Sequence, residues 1–154
     1  MPHSALQPVQ QAMHKVLNVP SLVGAFDPAN PSACAGARRV QDTPTVASTD
    51  DFPFVWVELA NETNRSGLGR GPWLMEIDVR IHTFSTFVGM AEIQRINTEI
   101  VDLIRQSTLT VLTWHPWATP HDRNTLLPFE QLAGIKATEL VAMFRLYVEE
   151  MAAP

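Results

Sequence analysis

The stretch Trp73-Leu74-Met75-Glu76-Ile77-Asp78-Val79-Arg80-Ile81-His82-Thr83-Phe84 decides the fold. Met75, Ile77, Val79 and Ile81 alternate with Glu76, Asp78, Arg80 and His82. Successive side chains of an extended strand point to opposite faces, so this alternation gives one apolar face and one charged face. Such a strand belongs to a sheet covered on one side, with the other side turned to solvent or to a partner. Immediately afterwards the period changes. Over Thr86–Gln106, Met90, Ile93, Ile96/Asn97, Ile100 and Leu103/Ile104 recur at helical spacing. Glu92, Gln94, Arg95, Glu99, Asp102 and Arg105 lie off that stripe, which predicts an amphipathic helix laid on the apolar face of the sheet.

Towards the N-terminus, Phe52–Leu59 reads as a strand with Phe54 and Trp56 on one face and Val55, Val57 and Leu59 on the other. Both faces are apolar, so it is central or covered on both sides. Between the two strands, Ala60–Pro72 is polar and rich in glycine and carries Arg65 and Arg70, the composition of a long, mobile hairpin tip. Arg38–Gln41 reads as a short strand, flanked by a Pro/Ala/Gly loop at Ala25–Ala37 and a turn-rich stretch at Thr43–Asp51. Ser4–Leu17 is predicted to be helical, with Ser4 and Gln7 as a capping box and Pro8 in the first turn.

Towards the C-terminus, Leu109–Thr113 reads as a short strand and Trp114–Pro128 as an aromatic, proline-rich loop. Phe129–Ala137 reads as an edge strand. Leu140–Glu150 fits a strand (Leu140, Ala142, Phe144, Leu146 and Val148 on one face) as well as a helix (Leu140, Phe144, Tyr147 and Met151). The order helix, three strands, helix, three strands predicts an α+β fold. Its mainly antiparallel sheet carries two helices on one face and a long hairpin tip, in one domain spanning residues 1–154.

The apolar share of 45% against a charged share of 18% excludes a disordered chain. No apolar run approaches the ~18–20 residues of a membrane helix, and Met1-Pro2-His3-Ser4 opens no secretory signal. Cys34 is the single cysteine, which excludes an internal disulfide and a cysteine-based zinc site. A net charge of −5 argues against a sequence-independent grip on nucleic acid, although it suits a wall that DNA slides past.

Residues able to carry chemistry are sparse. His115, His121 and Asp122 are the nearest thing to a metal or acid–base site, but their spacing matches no known ligand pattern. Ordinary loop residues are the better reading, with Trp114 and Trp117 anchoring the loop to the body or to a partner. Gly67-x-Gly69 lacks the third glycine of a dinucleotide fingerprint, since Pro72 stands in its place, and no P-loop lysine follows. Arg38-Arg39 reads as a surface pair and Cys34 as an inert thiol. No catalytic residue, cofactor site or metal site is assigned. A compact platform with protruding contact elements fits an assembly component better than an enzyme.

The order of features resembles the tail-completion, or tail-terminator, proteins of tailed bacteriophages and gene-transfer particles. Leu22-Val23-Gly24 closes the leading helix, Arg39-Val40 precedes a proline-bearing turn, and Phe52-Pro53-Phe54-Val55-Trp56-Val57 opens a strand. A Gly/Arg tip leads into the strand Leu74–Thr83, then into Gly89-Met90-Ala91-Glu92-Ile93, and an apolar strand around Val141–Val148 ends the domain. The resemblance runs from about Leu6 to Glu150; the loops Ala25–Ala37 and Trp114–Pro128 depart from it. It implies a strand at Leu140–Glu150 and a structural, non-enzymatic virion protein. It further implies a hexameric ring of identical copies at the head-proximal end of the tail. That ring docks on the tail tube protein, stops tube growth and meets the head-side connector, with DNA only passing through its lumen. Arg65 and Arg70 on the tip are the first candidate contact residues. The strand face of Glu76, Asp78, Arg80 and His82 is the second, and Trp114 and Trp117 of the aromatic loop are further candidates. Another neck or head–tail joining protein is the alternative within the same particle. A small metal enzyme built on His115, His121 and Asp122 is the alternative outside it.

Overall fold

A computed structural model of the chain describes residues 4–19, 22, 40–41, 52–65, 73–86, 90–106, 109–111, 114–118, 121–132 and 134–151. Its elements are α1 (Leu6–Leu17), β1 (Val40–Gln41), β2 (Phe54–Asn64), β3 (Leu74–Ser85), α2 (Ala91–Gln106), β4 (Trp114–Ala118), β5 (His121–Leu132) and β6 (Ile135–Glu150). The strands form one sheet in the order β1-β2-β3-β6-β4, with β5 also paired to β6. Only β1 runs parallel to its neighbour; the remaining pairs are antiparallel. β4 lies against the Tyr147–Glu150 end of β6, and β5 lies along its Ile135–Phe144 stretch. The predicted α+β architecture is the observed one.

The alternating pattern of β3 places the core as expected. Met75, Ile77, Val79 and Ile81 join Val55 and Val57 of β2 and Ala142, Phe144, Leu146 and Val148 of β6 on one face. Val9, Met13 and Leu17 of α1 and Ile96, Ile100 and Ile104 of α2 close the same core from above. Each such side chain moved out of water contributes roughly 1.5–3 kcal/mol, so this layer dominates the stabilisation. The far face is apolar at one end only. There Phe52, Phe54, Phe84 and Ala137 form a second cluster, with the Phe54 and Phe84 rings stacked 4.8 Å apart. The two apolar faces read from Phe52–Leu59 are therefore both used.

Several boundaries differ from the sequence reading. The capping box does not form: Ala5 is the N-cap and no side chain caps the helix. The Ala5 N–H instead donates to Glu62 Oε2 at 2.7 Å, and the Ser4 hydroxyl accepts only a 3.4 Å contact from Leu6. A carboxylate from β2 out-competes a neutral hydroxyl for donors at the positive end of the helix. β2 runs on past Leu59 to Asn64, through an irregularity between Leu59 and Asn61, and the Arg65 N–H still donates to Leu74 O at 2.7 Å. The base of the predicted tip is thus paired strand. Residues 66–72, including Arg70, lie outside the described residues, as do the loops read at 25–37 and 43–51 and Arg38-Arg39.

α2 begins at Ala91 rather than near Thr86. Of the strand expected at Leu109–Thr113, residues 109–111 are described, and there one bridge joins Val111 to Trp114. The loop expected at Trp114–Pro128 is instead β4 and most of β5. Of its prolines, Pro116 and Pro128 fall within these strands, which among the described strands pair with β6 alone, and an outer strand can spare one N–H; Pro120 lies outside the described residues. The edge strand expected over Phe129–Ala137 is strand at both ends but is divided by a hairpin corner: β5 ends at Leu132, Gly134 takes φ +79°, and β6 starts at Ile135. Leu140–Glu150 is strand, as the family resemblance implied, and the helical alternative is excluded. Pairing to β3 along its whole length overrides a weak helical propensity.

Candidate functional site: the charged face of the sheet

Opposite the helices, the even-numbered side chains of β3 meet partners from β2 and β6 in cross-strand rows. Register aligns Trp56 with His82, Glu58 with Arg80, Asn61 with Asp78 and Thr63 with Glu76. On the other side it aligns His82 with Val141, Arg80 with Met143, Asp78 with Arg145 and Glu76 with Tyr147. Directly opposed pairs on one face lie close enough to interact, so the strand alternation becomes a ladder of ion pairs.

Arg65 Nε lies 2.6 Å from Glu76 Oε2, and Arg145 Nε lies 3.2 Å from the other Glu76 oxygen and 3.8 Å from Asp78. Asn61 Nδ2 donates to Asp78 at 3.1 Å. Arg80 reaches Glu58 at 3.4 Å. A hydrogen bond with Tyr147, and after it the charge of Glu76, hold the Arg145 pKa above its ordinary value. These groups are partly in water, so each pair contributes little to folding and remains available for exchange with a partner.

His82 ends the ladder where the face turns apolar. It is 8% exposed and stacks on Trp56 with ring centres 4.3 Å apart. Its Nδ1 is hydrogen-bonded to Glu139, which is itself buried. Its Nε2 faces Glu58 at 3.5 Å, the far limit of a hydrogen bond, and makes none.

The predicted contact residues fall out as follows. Glu76, Asp78, Arg80 and His82 do share one face, and Arg65 joins them through Glu76. Trp114 is 4% exposed and belongs to the main core, so it anchors β4 to the body. Trp117 lies in β4, and Arg70 falls outside the described residues. His115 is opposite Glu149 and His121 opposite Phe144, five residues apart along β6, or roughly 17 Å of strand. Among the described residues no three His, Cys, Asp or Glu side chains are grouped to hold a metal ion. No helix among them is long and apolar enough to cross a membrane.

Sequence reasoning missed Glu58, Glu139, Arg123 and Arg145. The signal for Glu139 and Arg145 was the odd-numbered face of β6, legible only once that segment is known to be a strand. A groove of 570 Å³ also runs between α1 and β2, lined by Leu6, Gln7, Gln10, Gln11 and Leu59, and Gln10 Nε2 donates across it to Val57 O at 3.2 Å.

No family model and no curated protein matches the chain. In shape it is similar to a chain from the solved virion of a native gene transfer agent particle, with a TM-score of 0.69. The match covers 96% of this chain and 99% of that one at 14% sequence identity. The likeness is one of fold, and it extends over nearly the whole of both chains.

Proposed function

We propose that this chain is a structural virion protein of a tailed phage or gene-transfer particle. It forms a ring of identical copies, six in number, that caps the head-proximal end of the tail tube, ends tube growth and joins the tail to the head-side connector. The observation that carries this reading is the fold likeness, along nearly the whole chain, to a chain of a gene transfer agent virion at 14% sequence identity. The order of sequence features that resembles tail terminators supports it independently. The partners are other copies of the chain, the tube protein and the connector; DNA only passes through the lumen. No cofactor and no catalytic step is part of the reading.

Ring closure needs a heterologous contact whose rotation returns to the start. The ladder of Arg65, Glu76, Asp78, Arg80 and Arg145 supplies alternating charges that fix register between copies, and the tip carrying Arg70 supplies the contact to a neighbour or to the tube. A face that copies tube packing on one side only lets one ring bind and the next fail. The test is to polymerise the purified tube protein with increasing amounts of this chain. Tubes that shorten and carry one terminal ring support capping. Tubes of unchanged length with the chain bound only to connector rings would favour a head-side neck protein instead.

A further inference from the structure

We infer that Arg123, with Arg80 and Arg145 beside it, is the receiving site for an acidic segment of a neighbouring virion subunit; the partner's being a virion subunit rests on the function proposed above.

Three strands bring these cations together. Met143 of β6 is paired with Arg80 of β3 on one side and with Arg123 of β5 on the other, and Arg145 follows two residues along the same face. A cleft of 100 Å³ lies between them, lined by Asp78, Arg80, Arg123, Met143 and Arg145 and the backbone around Val79 and Phe144. In the cleft wall the three guanidinium groups stand with the Asp78 carboxylate, while Glu58 and Glu76 pair with Arg80 and Arg145 at its margin.

Their internal partners are unequal. Arg145 is held by Glu76 and Asp78. Arg80 has the 3.4 Å contact to Glu58. Arg123 is exposed, and its Nε donates to the Met143 sulfur at 3.2 Å. A thioether is a weak acceptor, and among the described side chains Arg123 meets no carboxylate. A planar fork of donors with so poor a partner is matched by a carboxylate, which can take two parallel N–H bonds. The cleft is large enough for one such group, and β5 is an outer strand, so a chain can approach it without displacing the core.

The surroundings select a short acidic peptide over a nucleic acid. Glu58, Glu76 and Asp78 stand on the same face, and the chain carries a net charge of −5. A phosphate polymer would run its continuous charge past these carboxylates, whereas a segment with one or two acidic side chains meets only the arginines.

The 154-residue chain is titrated with a fluorescent eight-residue Gly-Ser peptide carrying two central glutamates, an uncharged Gly-Ser peptide of the same length and an eight-nucleotide oligo-dT, with the arginine side-chain NMR signals followed in parallel. The expected result is preferential binding of the two-glutamate peptide with the Arg123 signal moving. R123Q should weaken that binding about tenfold, the size of one charge-assisted contact. R95Q, on α2 across the sheet, removes the same net charge and should leave binding unchanged. Equal weakening by R95Q, no weakening by R123Q, or tighter binding of oligo-dT than of the two-glutamate peptide would each overturn the proposal. The titration needs no tail assembly, so its failure leaves the ring reading standing, and failure of the ring reading does not alter the titration.

Discussion

At His82 the two halves of the sheet's outer face meet, and the chemistry of both is compressed into one side chain. Its ring completes the apolar end by stacking on Trp56, and its Nδ1 bonds to the buried carboxylate of Glu139. Removing one member of such a pair strands the other without water, which costs about 3 kcal/mol or more. Glu139→Ala is therefore expected to lower the urea midpoint strongly, while Glu139→Gln, which keeps a hydrogen-bonding oxygen, should lose less than half as much. By contrast Arg65→Gln breaks an ion pair whose cation is 56% exposed, and should change stability by less than about 1 kcal/mol. Arg145 also makes a prediction in pH. Its pKa is raised, so any stability that it contributes is present below its unfolded pKa and is lost only as pH rises through the higher folded value. The stability difference between the native chain and Arg145→Gln should then be the same at about pH 6 and about pH 9 in urea titrations. The charged run Glu76–His82 was legible in the sequence because a period of two is a local signal. Its partners Glu58, Glu139 and Arg145 were not, because register with distant strands decides which side chains meet.

Among the elements, β3 and α2 were read directly, since each carries its own period and needs no neighbour to define it. Shortening a buried residue of α2 tests that packing: Ile96→Ala or Ile100→Ala should cost about 2–5 kcal/mol, depending on how far the core relaxes. The segment Trp114–Ile135 was read poorly. Its prolines and scattered aromatics mimic a loop, yet β6 offers a long partner edge, and pairing to that edge makes strands of β4 and β5. The corner between β5 and β6 depends on Gly134. Nothing lies within 4 Å of a Cβ added there, so the cost of Gly134→Ala comes from φ +79° alone. That cost is about 1–2 kcal/mol, measurable as a drop in melting temperature, and Gly134→Asn should lose less. At the other end, the helix α1 starts where Glu62 reaches it rather than where Ser4 would cap it, a contact across 57 residues that no local motif announces.

For the whole molecule, the architecture is a sheet whose two faces have different tasks. One is sealed by α1 and α2 around the core; the other grades from an aromatic cluster through His82 to an ion-pair ladder. Such a ladder contributes little to a monomer, and in the proposed ring its role is to fix register between copies. Replacing Arg65 and Arg70 together by Asp is accordingly expected to leave the monomer folded but to abolish ring formation and the joining of tails to heads, seen by native mass spectrometry and by particle counts. Ring formation and tail joining that survive this double substitution would remove the tip from the contact. The central claim, that the chain ends tail growth at the head-proximal side, is tested most directly by electron microscopy of particles made with its gene deleted. Overlong tails, or tails without heads beside filled heads without tails, are expected. Tails of normal length attached to filled heads would contradict it.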